Sequence, residues 1–203
     1  MKKLTFALLF CFTPFLVGAQ PLKVVEVHNP DIHCVFSSGC TVDVDAIDTT
    51  SDILGGFLRT RTYKGRSRSR AAGLYGYEYR LDLRDAIYTK ASTCIRSIKI
   101  DFGDVIGSLN YGGDAKNDQA FVITAGGGPG GSIGLAAAVQ TRREITFTFS
   151  DPVCPGAVTG GGRSTFIWGL VSTRPPRVIS ASLETTGGAL TPPFIRANVR
   201  APR

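Results

Sequence analysis

"LYGYEYRLDL", residues 74–83, sets Tyr75, Tyr77, Tyr79, Leu81 and Leu83 at every second position, with Gly, Glu, Arg and Asp between them. Successive side chains of a strand point to opposite sides of the sheet, so this alternation gives extended chain one apolar face. A helix would scatter the same five residues around its circumference. Tyrosine also fits a pleated, half-buried surface well. The segment reads as a strand, and the same period recurs on both sides of it.

Upstream, "LKVVEVH" (22–28) and "TVDVDAI" (41–47) alternate apolar with polar residues, and "GFLRTRTY" (56–63) does so less cleanly. Downstream, "CIRSIKIDF" (94–102), "QAFVIT" (119–124), "EITFTFS" (144–150), "RVISASLET" (177–185) and "FIRANVR" (194–200) follow the same rule. "STFIWGLVS" (164–172) is nearly all apolar, as a central strand buried on both faces would be, and its Trp168 reads as core. Only "GSIGLAAAVQ" (131–140) suits a short helix. About ten short strands with Gly, Pro, Asn and Asp between them predict an all-β fold. The expected form is a single antiparallel β-sandwich, immunoglobulin-like or jelly-roll-like. "ITAGGGPGGSIG" (123–134) and "VTGGGRS" (158–164) are too short to separate domains and read as loops.

The first twenty residues, "MKKLTFALLFCFTPFLVGAQ", set Lys2 and Lys3 before an apolar run over 4–17, and Val17-Gly18-Ala19 has the small residues of a cleavage site. Residues 1–19 are therefore expected to be a secretory signal peptide and 20–203 the domain. The run is shorter than the about 20 residues a bilayer span needs. Cys11 follows Phe10 rather than a small residue, which argues against a lipoprotein anchor. No later segment is apolar enough for a transmembrane helix. The expected location is secreted or periplasmic.

Loss of the leader removes two lysines and no acids, so the formal charge falls from +7 to +5. That balance favours acidic surfaces, and together with export it argues against a nucleic-acid partner. Cys34, Cys40, Cys94 and Cys154 remain, an even set in an exported chain, which favours disulfides over metal binding. The preferred pairing joins Cys34 to Cys40 across "CVFSSGC" and Cys94 to Cys154 over a long loop, with structural zinc as the alternative.

"RTRTYKGRSRSR" (59–70) is the candidate polyanion-binding arm: Arg59, Arg61, Lys64, Arg66, Arg68 and Arg70. In extended chain, Arg59 with Arg61, and Arg66 with Arg68 and Arg70, would each share a face. Guanidinium forks match sulfate, phosphate and carboxylate, so an acidic glycan, lipopolysaccharide or another cell-surface component is the expected partner. The plainer alternative is an exposed hairpin whose charges protect a sheet edge from pairing. "NYGGDAKND" offers Asn110, Asp114, Asn117 and Asp118 as oxygen ligands for calcium, although Lys116 stands where a ligand would belong; an Asx-rich turn explains the stretch equally. No other cofactor is expected. Asp43, Asp45 and Asp48 lie close together, but Asp43 and Asp45 follow ordinary strand alternation opposite Val42 and Val44, and His28, Asp31 and His33 lack a ligand spacing, with Pro30 and Cys34 suggesting a turn.

Enzyme signatures are scarce. No Ser-His-Asp set that spacing supports and no phosphate-binding loop is present. Glu26, Glu78, Glu144 and Glu184 are the acids from which a glycosidase would draw a pair.

"GFLRTRTYKG", "AAGLYGYEYRLDLRDA", "IDFGDV" and "STFIWGLVSTRPPRVISASL" together resemble a group of secreted bacterial β-rich proteins to which no activity is assigned, over residues 55–185. The resemblance implies an extracellular or envelope-associated sandwich and transfers no catalytic residues. The expected function is a non-catalytic binding or structural domain. A secreted polysaccharide-acting hydrolase using paired carboxylates is the alternative.

Overall fold

The computed structural model describes residues 18–42, 46–88, 93–104, 106–125, 130–187 and 193–203. The signal-peptide reading of 1–17 and the acids Asp43 and Asp45 lie outside them. In chain order the elements are β1 (Gln20–Pro21), β2 (Val24–His28), α1 (Asn29–Phe36), β3 (Ile47–Ile53), β4 (Gly56–Lys64), β5 (Tyr75–Asp82), β6 (Ile95–Asp101), β7 (Ala120–Ala125), β8 (Leu135–Thr141), β9 (Glu144–Val153), β10 (Ile167–Ser172), β11 (Pro176–Thr185) and β12 (Phe194–Pro202).

The strands form two six-stranded sheets, β1-β8-β9-β6-β11-β12 and β2-β7-β10-β5-β4-β3. The fold is the all-β sandwich expected, with both disulfides, Cys34–Cys40 and Cys94–Cys154, as paired from the sequence. The tyrosine strand β5 lies between β10 and β4, and its alternating face meets the other sheet. Tyr77, Tyr79, Leu81, Trp168, Leu170, Phe147 and Ile98 are all buried there in one core. Tyr79 stacks on Trp168 at 5.9 Å between ring centres, and Tyr77 meets Phe102 edge-on at 5.1 Å.

Three expectations need correction. Residues 135–141 are a strand rather than a helix, because β8 pairs with β9, where six cross-strand positions outweigh alanine's helix propensity. The expected turn around Pro30 is α1, where Pro30 occupies the first turn and needs no N–H partner. Ile32, Val35 and Phe36 recur at helical spacing and are fully buried. The sheets are not purely antiparallel, since β2 runs parallel to β7. In addition Thr41 and Val42 are not in a strand; pairing in that region begins at Ile47.

α1 matters because it covers the outer face of the second sheet. Ile32, Val35 and Phe36 pack with Tyr63, Phe121, Ile123 and Val171 into a second core. Gly76 explains the break in the tyrosine run: a Cβ there would sit 2.5 Å from the Tyr63 ring and 3.0 Å from that of Phe36. This cover buries β5 on both faces. On the opposite side of the sandwich, the outer face of the first sheet has no described helix over it.

Candidate functional site

The six residues of the basic arm fall into separate groups. Arg59 and Arg61 lie on β4, which is an interior strand between β3 and β5; β3 is the edge, so the edge-protection reading of β4 is corrected. Both are half-buried on the outer face, paired in register with Arg80 and Glu78. Arg61 meets Asp48 at 3.1 Å. Around them Glu78 accepts a 2.6 Å hydrogen bond from the Tyr63 hydroxyl. Arg80 donates to Asp82 at 2.8 Å and to Ser164. Arg84 closes on the same Asp82 carboxylate at 2.6 Å. Burial pushes the Asp82 carboxyl up, but hydrogen bonds from Arg84 and the charges of Arg80 and Arg84 outweigh it, leaving it below its usual range. Asp48, Glu78 and Asp82 thus offset three of the four charges of Arg59, Arg61, Arg80 and Arg84.

Lys64, Arg66, Arg68 and Arg70 lie elsewhere. Residues 65–74 do not continue the strand but fold through turns against α1, with Arg66 N–H donating to Phe36 O and Ala71 N–H to Val35 O. The expected alternation of Arg66, Arg68 and Arg70 on one extended face is therefore corrected. Arg68 sits at φ +72°, a left-handed conformation that costs a non-glycine residue about 1 kcal/mol. Arg66, Arg68 and Arg70 lie in this surface loop, and Arg70 donates to Asn110 O at 2.7 Å. Lys64 stands over the Tyr75 ring at 5.7 Å.

Strand register then determines what lies near this loop. Lys64 pairs with Tyr75 and Tyr75 with Ser172, so the loop leaves the sandwich at the same end as the β10–β11 turn. That turn carries Arg174, and Arg177 follows at the start of β11. β12 ends beside it, with Pro202 opposite Pro176 and Arg203 bonded to Pro175. The β8–β9 hairpin brings Arg142 and Arg143 to this end too, since Glu144 pairs with Asp101 at the end of β6. Gly103, bonded to Arg143, and Gly107, bonded to Val171, link to the two sheets there. Arg143 and Arg177 both reach Asp101, at 3.2 and 3.7 Å, and Arg174 reaches Asp104 at 3.5 Å. Nine basic residues thus stand at one end: Lys64, Arg66, Arg68, Arg70, the pairs 142/143 and 174/177, and Arg203. The acids interspersed with the last five are Asp101, Asp104 and Glu144. The local excess of six positive charges exceeds the +5 expected for the whole chain after leader removal. Sequence reading found the loop but missed the other five arginines, which are scattered over 142–203 and converge only through sheet topology.

The remaining candidates lie outside this group, although the Asn110 carbonyl touches Arg70. Asn110 accepts from Gly113 N–H at 2.6 Å and Asp114 from Lys116 N–H at 3.0 Å, two Asx turns. Asp118 is buried against Lys23 Nζ at 2.7 Å, and Lys23 also reaches Asn117 O. Among the described residues, no three His, Cys, Asp or Glu gather as a metal site would require. Of the four glutamates, Glu26 is exposed on β2 and Glu78 is buried under Tyr63. Glu144 and Glu184 share the outer face of the first sheet, but their register sets the Cα atoms roughly 16 Å apart. Each has its own partner, Lys99 at 3.7 Å and Ser97 at 2.8 Å. Among the described residues no helix is long and apolar enough to cross a membrane, and the two disulfides fit an oxidising compartment. No protein-family model, curated protein or solved structure matches the chain.

Proposed function

We propose that this is a non-catalytic, exported or envelope-associated domain that holds an acidic glycan, or a comparable polyanion such as the phosphorylated sugar of lipopolysaccharide, on the basic end of its sandwich. The observation that carries this reading is the convergence of Lys64 and the 65–74 loop with the β8–β9 hairpin, the β10–β11 turn and the end of β12. Arginine suits the role because its planar fork matches sulfate and phosphate oxygens in pairs. The positions are turns and strand ends on a rigid sandwich, which sets long side chains on a fixed base. Arg59 and Arg61 lie outside the proposed site, since neighbouring carboxylates already occupy that face.

The test is retention on a sulfated polysaccharide column under a salt gradient, with two variants beside the native protein. Changing Arg66, Arg68, Arg142 and Arg174 to Ser should bring elution to much lower salt. Changing Arg59 and Arg61 to Gln should lower it far less, because both are half-buried, Arg61 is paired with Asp48 and solvent screens what remains. Equal retention of native protein and end variant would overturn the reading.

A further inference from the structure

The outer face of the first sheet carries a second, chemically different surface. Strand register lines up two rows across β9, β6, β11 and β12. Thr146, Lys99, Ser182 and Arg196 form one, and Thr148, Ser97, Glu184 and Phe194 the other. At normal sheet spacings each row is about 14 Å long and the two are about 7 Å apart. All of these except Thr148, together with Glu144, line an open groove of 530 Å³, within the range of about 300–1,000 Å³ that ligand sites occupy. The groove adjoins a second trough of 380 Å³ across Arg196 and Asn198 to Thr50 and Asp52.

Three features decide what fits. The charges lining the groove cancel, Lys99 and Arg196 against Glu144 and Glu184, so neither a polyanion nor a polycation is favoured. Hydroxyls, ammonium, guanidinium and carboxylates alternate across the rows, which offers both donors and acceptors at short intervals. Phe194 is 55 % exposed beside Glu184, a flat apolar ring at the end of an otherwise polar row. An extended peptide is poorly served: β9, β6 and β11 are interior strands whose backbone groups are already paired, so no strand can be added there.

The geometry points to a binding platform for a neutral oligosaccharide chain, lying along the two rows with one sugar ring stacked on Phe194 and its hydroxyls bonded to Lys99, Ser182, Glu184 and Arg196. This site shares only Glu144 with the basic end and does not depend on the arginines there.

The full chain would be titrated with neutral gluco-, xylo- and chito-oligosaccharides, reading amide and side-chain shifts by NMR. At least one series should bind, with a dissociation constant in the millimolar range or tighter, and perturb β6, β11 and β12. Phe194→Ala should weaken it about tenfold. Glu184→Gln, a milder change at the same row, should also weaken it, and both variants should keep native spectra away from the face. Binding should be insensitive to salt, unlike that of a sulfated ligand. The proposal is overturned if no neutral series shifts these rows at about 10 mM, if Phe194→Ala binds as the native protein does, or if only peptides or sulfated chains occupy the face.

Discussion

Tyr77 and Tyr79 show why the decisive strand carries tyrosine where phenylalanine would pack as well. Both rings are buried, yet their hydroxyls reach the carbonyls of Arg174 and Arg200 at 2.7 and 2.8 Å. Each ring therefore fills the core while its tip ties β5 to the arginine-bearing strand ends of β10–β11 and β12. Burial raises the pKa of both phenols, so they remain neutral donors through the physiological range. Asp82 has the opposite character. Its folded pKa lies below the unfolded value of about 3.9, so its ionised form contributes stability above that pH and loses it as pH falls through the folded value. Asp82→Asn leaves Arg80 buried without its counter-charge and should cost about 3 kcal/mol at neutral pH. The deficit should shrink below about pH 4 as the native carboxylate protonates. Urea midpoints measured from pH 7 down to pH 2 check this, and a deficit constant with pH would contradict it.

Among elements, the two disulfides should differ in weight. Cys94–Cys154 closes a separation of 60 residues between the start of β6 and the end of β9, and Cys34–Cys40 closes one of 6 beside α1. Loop-closure entropy predicts a loss of about 4 kcal/mol when the first pair is changed to Ala and about 2 for the second. Denaturant unfolding of the two double variants tests the order, which equal losses would refute. Most strands were readable because alternation survives wherever one face is buried, as in 144–150, and 74–83 alternates although buried on both faces because Glu78, Arg80 and Asp82 on its outer face are bonded polar groups. β8 escaped because Ala136, Ala137 and Ala138 carry little periodic signal, and its partner strand decides its state. α1 escaped because eight residues around a proline give too short a run for helical period to stand out. β3 escaped because its polar sequence, IDTTSDI, has only Ile53 buried. It sits at the edge, where Ser51 bonds the backbone of Asn198 at 2.8 Å and Arg200 reaches Thr49 at 2.7 Å, so the open sides of the sheets meet through side chains.

For the molecule as a whole, topology sorts charge in a way that the linear sequence conceals. The run 59–70 looks like one arm, but the end of β4 divides it: Arg59 and Arg61 fall half-buried on a face shared with three carboxylates, and Arg66, Arg68 and Arg70 fall on a loop at the basic end. The partners of that loop come from three later segments, and only pairing register brings them together. The most direct test of this division follows arginine side-chain Nε signals while a short sulfated oligosaccharide is added to the native protein. The predicted result is perturbation of Arg66, Arg68, Arg142, Arg143 and Arg174, with Arg59 and Arg61 unmoved. Perturbation confined to Arg59 and Arg61, or no perturbation of any arginine, would contradict the account.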